Sequence, residues 1–529
     1  MFIGGLQAFM NRTLTPIRFK QRAVSQFPTK VGVVDGDKRF TYREYGERCD
    51  RLTNALIELG VARGERVAWL GYNSHELLEA YYGVVQMGSV LLPLNIRLTP
   101  EEIAYILNNS ESVALFYNTD FQPLVDALRP QCRLLRNYVA IESQYEPLLA
   151  AAEASFTPPS DIQDDDLAEL FYTSGTTANP KGVMMTHRNL YMHAMQVIGG
   201  LGVKESIVQL HTIPLFHVNG WGTPHTLTCM GARHVMTRRF DPTEVLELIQ
   251  RERVTNFAMV PTMATALIHH PKIKEFDLSS LDYVAIGGAA SPWELMRDVE
   301  RALGCGCYGG YGLTETTPVL SQSFIKDHLE GLPDEERWRR QAMAGYAMPG
   351  VELDIFDTDD KAVPHDGVSV GEVVVRADNV MHGYWKQPED TANVMRGGWL
   401  HTGDMGVIDD EGYLLIVDRK KDIIISGGEN IASIEVEKAV FSHAAVLECA
   451  VIAVPDDRWG EVPKALVVLK PGESASEKDI IDHCRTKLPG FKVPKSIEFF
   501  SELPKGGTGK ILKKELREKY WSGYDKRVH

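Results

Sequence analysis

No uninterrupted apolar run in these 529 residues approaches the roughly 20 that a membrane span requires, so no spanning segment is expected. A basic excess is missing too. Lysine and arginine number 56 against 71 aspartates and glutamates, a formal charge of −15, which argues against nucleic acid as the main partner. An anionic ligand therefore needs a locally basic site. Cysteine is scarce: there are seven, scattered and odd in number, which fits a reducing compartment and no disulfide framework. Cys305 and Cys307 stand too close together and too isolated for a zinc site. The start, Met1 to Arg12, has no basic stretch followed by a sustained apolar run, so no secretory leader is expected and the cytoplasm is the expected location. Internal repeats and low-complexity tracts are missing as well. What remains is an ordinary globular composition, 44% hydrophobic and 24% charged. The chain is too long for one core, so at least two domains are expected.

Between about residues 20 and 160, short apolar strands alternate with helix-spaced segments. Lys38 to Tyr42 reads as a strand running into a helix from Arg43 to Leu59, which stops at Gly60. Glu65 to Leu70 is a compact strand, a helix follows from about Ser74 to Met87, and Gly88 to Asn95 is the next strand and turn. Thr99-Pro100-Glu101-Glu102 is a helix start, with proline in its first turn and acids after it. The rhythm resumes downstream, where Val208 to Pro214, Val254 to Pro261 and Leu281 to Ile286 read as strands. It implies an α/β fold of parallel sheets flanked by helices, with ligands at the carboxyl ends of the strands. His217, Gly287-Gly288-Ala289 and Tyr311 lie just past such ends.

From Gly345 to Val417 the texture changes to alternating strands bounded by glycine and aspartate, the mark of a small antiparallel or β-barrel-like subdomain. The charge cluster Asp418 to Asp422 is the expected boundary, with a solvated turn as its plain alternative. The expected organisation is a large N-terminal domain over 1–418, its β-rich subdomain at 345–417, and a small mobile α+β C-terminal domain over 419–529.

The most informative stretch runs from Tyr172 to Arg188. It opens with Thr173-Ser174-Gly175-Thr176-Thr177, turns at Asn179-Pro180 and places Lys181 beside Gly182. Hydroxyls, successive backbone N–H groups and a lysine are the parts that wrap a polyphosphate. A polar turn between strands is the plain alternative. A Walker loop is excluded, because there the lysine follows its second glycine, whereas here it precedes one. A second string, Tyr308-Gly309-Gly310-Tyr311-Gly312-Leu313-Thr314-Glu315, flanks an aromatic ring with glycines and follows it with a hydroxyl and a carboxylate.

These strings, with His401-Thr402-Gly403-Asp404, Arg419, Ser426-Gly427-Gly428 and Gly506-Gly507-Thr508-Gly509-Lys510, occur in an order that resembles the adenylate-forming (acyl-CoA synthetase, AMP-binding) superfamily across nearly the whole chain. The resemblance implies ATP, Mg²⁺ and CoA as cofactors or cosubstrates and a small-molecule carboxylic acid as substrate. Thr173, Ser174, Gly175, Thr176, Thr177 and Lys181 would hold the phosphates; Tyr311, flanked by Gly310 and Gly312, would pack on adenine, and Gly288 and Ala289 would belong to the cofactor site. Thr314 would contact the α-phosphate, and Thr176 and Glu315 would hold magnesium. Asp404 and Arg419 would hold the ribose, and Lys421 would be a hinge. Gly427 and Gly428 would line the CoA channel after rotation, while Lys510 would close on the reacting carboxylate and α-phosphate.

The string Pro214 to Trp221 is similar to that of the fatty-acyl-CoA ligase branch, which places His217 in the catalytic set and Trp221 with Gly287 at the acyl pocket. Gly220, Gly222 and Ala289-Ala290 are expected to leave room there for an alkyl chain. The plain alternative for His217 and Trp221 is ordinary core. The implied activity is activation of a fatty or similarly apolar acid as acyl-adenylate and its transfer to CoA, with release of AMP and pyrophosphate. A carrier-loading enzyme, a luciferase-like oxygenase and a non-catalytic nucleotide sensor are the alternatives, and a homodimer is an open option.

Overall fold

The structure, a computed structural model, describes residues 12–173, 179–427, 429–456, 458–505 and 511–521. The expectations at Ser174, Gly175, Thr176, Thr177, Gly428 and Lys510 lie outside these residues.

Two large sheets form the N-terminal part. One has seven strands, in the order Gly383–Tyr384, Lys181–Thr186, Leu167–Thr173, Val90–Pro93, Arg66–Leu70, Ser112–Tyr117 and Asn137–Ala140. From Leu167–Thr173 onward its strands are parallel. The other has nine strands, and its central six, from Gly306–Gly312 through Tyr283–Gly287, Asn256–Met259, Val208–His211 and Arg233–Met236 to Val31–Asp35, are parallel. Parallel strands joined by helices are buried on both faces and read as near-continuous apolar runs, as Val90–Pro93 and Ser112–Tyr117 do.

Local signals fix the helix starts. The side chain of Thr99 accepts from the Glu102 N–H, and the Glu102 carboxylate accepts from the Thr99 N–H, with Pro100 in the first turn. Thr41 and Glu44 make the same reciprocal pair before the helix Tyr42–Glu58. The helix His75–Gly83 buries every residue except Glu76. It sits inside the protein, its buried Glu79 paired with Arg48, and the largest core joins it to both sheets through Trp69, Tyr82, Val33 and Met236.

The third sheet is antiparallel and contains Val351–Phe356, Gly371–Ala377, Met395–Arg396, Trp399–Ile408 and Leu414–Arg419. The expected β-rich stretch is not one closed unit: Tyr346–Ala347 joins the nine-stranded sheet and Gly383–Tyr384 the seven-stranded one. Leu414–Arg419 ends the third sheet, and Ile424–Ser426 begins a fourth, five-stranded sheet with its own core. Between them Lys420 and Lys421 are exposed in a turn, as the plain reading of the charge cluster has it, but the acids on either side of the turn are tied down. Asp418 is buried and accepts from the Ser433 N–H, and Arg517 pairs with Asp422 at 2.7 Å. Lys513 is clamped by Glu437 at 2.7 Å.

Candidate active site

The carboxyl ends of the parallel strands open into one cleft of about 1730 Å³. That exceeds the few hundred to about 1,000 Å³ of a single small-molecule site, so more than one substrate fits. The cleft collects most of the residues singled out in the sequence: Thr173, Lys181, His217, Trp221, Gly287 to Ala289 and Gly310 to Gly312. Thr314, Glu315, Asp404, Arg419 and Lys421 line it too. His217, Gly287 to Ala289 and Thr314 with Glu315 reach it from the carboxyl ends of parallel strands, whereas Lys181, Asp404 and Arg419 reach it from antiparallel strands.

Asp404 is the best-anchored of them. It is 3% exposed, its Oδ2 accepts from the Tyr311 hydroxyl at 2.7 Å, and its Oδ1 lies 2.7 Å from Arg419 Nε. Burial and the neighbouring Asp404 push the Tyr311 phenol well above its usual range, so it stays a donor. Burial works against charge on Arg419, but Asp404, Tyr311 and Glu315 outweigh it and hold the guanidinium firmly cationic. An anionic chain thereby keeps a fixed positive group in the cleft. Each carboxylate oxygen of Asp404 retains accepting capacity for a ligand hydroxyl.

Glu315 sits in the short helical turn Thr314–Thr316, and its Oε1 accepts from Tyr384 at 2.9 Å. Burial and Glu315 raise the Tyr384 phenol, so it too remains a donor. The remaining carboxylate oxygen suits a hard cation such as Mg²⁺. Lys181 begins the strand Lys181–Thr186, pairs with Asp390 at 2.8 Å and lies 5.1 Å over the Tyr384 ring. The sequence offered no pattern for Tyr384 or Asp390, which reach the site from a distant segment.

A different cluster with metal-ligand spacing, Asp35, His75 and Glu76, lies away from the cleft lining. It is an ion-pair network, with Asp35 2.6 Å from His75 Nδ1 and Lys38 3.4 Å from Nε2.

His217 and Trp221 are half-buried and line the cleft, and Trp221 also packs against the small apolar cluster of Ile213, Ala258 and Val260. Trp221 rides on an unusual turn. Val218, Asn219, Gly220, Trp221 and Gly222 have φ of 45°, 41°, 53°, 64° and 82°, a left-handed run. This conformation costs roughly 1–2 kcal/mol for each non-glycine residue. The expectation that Gly220 and Gly222 leave room for an alkyl chain is corrected here. Neither lines the cleft; a Cβ on Gly220 would come within 2.9 Å of Leu215, and one on Gly222 within 2.2 Å of His193. They are glycines because of the turn. Gly287 is the glycine that shapes the pocket, since a Cβ there would lie 2.9 Å from the Trp221 ring. Ala289 and Ala290 do line the cleft.

Gly427 is not in the cleft lining; it forms the tip between Ile424–Ser426 and Glu429–Ile431 and packs against Trp459. Glu169 and His225 were missed as well, and Asn219 lay within the string Pro214 to Trp221 with no role assigned to it. An acid in the middle of the apolar strand Leu167–Thr173 was the signal that could have found the first.

The AMP-binding enzyme family matches residues 20–385, and the AMP-binding enzyme C-terminal domain matches 435–510. The chain belongs to the AMP-binding enzyme family. This AMP-binding enzyme is 39% identical over 527 residues to a long-chain-fatty-acid–CoA ligase of Thermus thermophilus, covering 97% of each chain. A peroxisomal butyrate–CoA ligase of Arabidopsis thaliana is 38% identical over 537 residues, covering 96% of this chain and 93% of the relative. Among solved structures, an anthranilate CoA ligase in complex with anthranoyl-AMP aligns with a TM-score of 0.89 at 28% identity, covering 97% of this chain and 98% of that one. The adenylate-forming assignment and the α/β architecture with a large N-terminal and a small C-terminal domain therefore hold, and the enzyme is an acid–CoA ligase. Among the described residues no helix is long and apolar enough to cross a membrane.

Proposed function

We propose that this acid–CoA ligase acts on a fatty or similarly apolar carboxylic acid. The observation that carries the reading is the Trp221 ring lying against Gly287 inside the cleft, beside Ala289 and Ala290, where a carboxylate's alkyl tail would lodge. The relatives' names alone do not choose a chain length, since they span butyrate, benzoate and long-chain acids.

In the first half-reaction a carboxylate oxygen bonds to the α-phosphorus of ATP, the bond to the leaving pyrophosphate breaks, and acyl-adenylate forms. In the second, the CoA sulfur bonds to the acyl carbon and AMP leaves with the electron pair of the broken bond. Such chemistry depends on positioning and charge neutralisation. Asp404 and Arg419 would anchor the ribose, Tyr311 would pack on adenine, and Lys181 and Lys510 would face the phosphates. Mg²⁺, when bound through Glu315 and Thr176, offsets phosphoryl charge. His217 lines the same cleft.

We place the domain boundary at 418/419 and the pivot at Lys421. In support, Lys421 separates two sheets, and its carbonyl accepts from Arg517 at 3.4 Å. The seven cysteines form no disulfide among themselves, and we place the enzyme in the cytoplasm, although some plant relatives are peroxisomal.

The test is thioester formation from straight-chain, branched and aryl acids, with CoA and with a pantetheine-bearing carrier protein as acceptors. The reading predicts highest kcat/KM for CoA with a straight-chain acid. Preference for an aryl acid, or for the carrier protein, would overturn it.

A further inference from the structure

The left-handed run at 218–222 needs something to hold it. Gly220 and Gly222 adopt positive φ freely, but Val218, Asn219 and Trp221 do not. Strain of this kind persists only where the surroundings over-determine it. Here a buried acid does so. Asn219 has no exposure and donates from Nδ2 to Glu169 Oε2 at 2.9 Å. Glu169 is equally buried, and its Oε1 lies 2.6 Å from His225 Nε2. His193, whose Nε2 accepts from the Val319 N–H at 3.1 Å, fills the space beside Gly222. None of Glu169, Asn219, His225 and His193 lines the cleft, yet Trp221, two residues beyond Asn219, does.

The residue types suit the task. Asparagine tolerates the left-handed region better than most residues, and its amide supplies the donor that a carboxylate needs. A buried carboxylate is costly unless paired, and Asn219 and His225 between them engage both oxygens of Glu169.

We infer that Asn219 and Glu169 are positioning residues: their hydrogen bond fixes the left-handed turn that seats the Trp221 indole against Gly287, and so sets the depth of the acyl end of the cleft. The inference rests on Trp221 being a wall of that pocket. It adds how the wall is held, by groups that touch neither substrate nor nucleotide.

Replacing Glu169 endangers the fold, so the test is carried by Asn219. Asn219→Gly keeps the permissive backbone and removes the donor; Asn219→Asp keeps the shape and sets a second carboxylate against Glu169. Two readouts are taken. The first is the emission of Trp221 alone, obtained by subtracting the spectrum of each protein's Trp221→Phe counterpart. The second is kcat/KM for thioester formation along a straight-chain acid series, with the KM for ATP measured alongside. The Trp221 emission should move in both variants. The ratio of kcat/KM between long and short acids should change about tenfold, in the same direction as in Trp221→Ala. Adding Asn219→Gly to Trp221→Ala should change the ratio no further, because both act through one ring. The KM for ATP should follow the wild type, which a general loosening of the fold would not allow. Unchanged Trp221 emission and acid ratio in both Asn219 variants, with Trp221→Ala still altering the ratio, overturns the inference and leaves the pocket reading standing. An acid ratio unmoved by Trp221→Ala overturns the pocket reading, and with it the claim that Asn219 sets specificity, whatever the emission shows.

Discussion

Asp404 shows what a single side chain must do here. Its neighbours Tyr311 and Arg419 come from positions 93 residues before it and 15 after it, and both are within 2.7 Å of its oxygens. Removing the carboxylate leaves the half-exposed Arg419 guanidinium and the Tyr311 phenol without their acceptor. Hydrogen bonds to charged groups contribute about 1.5–3 kcal/mol, so Asp404→Ala should raise the KM for ATP by roughly 10- to 100-fold. Initial-rate kinetics at varied ATP test this, and a wild-type KM would remove Asp404 from the nucleotide site. The motif containing Asp404 was readable in the sequence, since it is a local string in a fixed order. Tyr311 and Arg419 were singled out too, but that both bond directly to it was not readable, because nothing local marks which tyrosine or arginine folds back onto it. The same holds for Tyr384 at Glu315 and Asp390 at Lys181.

Among elements, those with local chemistry were legible. Thr99-Pro100-Glu101-Glu102 starts its helix where it was read, and the helix read from Arg43 begins one residue earlier, at Tyr42, capped by Thr41 with Glu44. The compact apolar run read at Glu65 to Leu70 forms the buried parallel strand Arg66–Leu70. The turn at 218–222 was not legible, because Gly220 and Gly222 flanking Trp221 fit equally well with an open pocket. Only the positions of Leu215 and His193 decide between the two readings. Gly222→Ala tests the turn directly. Its φ of +82° disfavours any Cβ, and that Cβ would lie 2.2 Å from the His193 ring. We expect a loss of about 2 kcal/mol or more in unfolding free energy, since overpacking and a strained φ act together. Urea unfolding measures it, and an unchanged midpoint would contradict the turn as described.

The whole molecule carries a pH signature. Burial lowers His187 to about 4 and His193 and His211 to about 3, from an ordinary value near 6.5. Their folded pKa values are depressed, so below pH 6.5 the unfolded chain takes up protons that the folded one refuses. Stability should therefore fall as pH drops from 6.5 toward 4, by up to about 1.4 kcal/mol per pH unit for each histidine. His75 works the other way. Burial opposes its charge, but Asp35, Glu146 and Glu76 raise it to about 9. Its contribution is complete below pH 6.5 and is lost as pH rises through 9. Urea midpoints against pH should peak near neutrality with the steeper limb on the acid side. A flat profile between pH 5 and 7 would show that these histidines are not buried as described.

At the same scale stands the claim that one cleft forms an acyl-adenylate before CoA acts. The most direct measurement is exchange of labelled pyrophosphate into ATP with the acid present and CoA absent. The account predicts acid-dependent exchange in the wild-type enzyme and its near-complete loss in Lys510→Ala, which should still convert synthetic acyl-adenylate and CoA to thioester. Lys421→Pro should retain the exchange and lose the thioester step, since a fixed φ at the pivot obstructs rotation. Thioester formation by the wild-type enzyme with no exchange in the absence of CoA would contradict it.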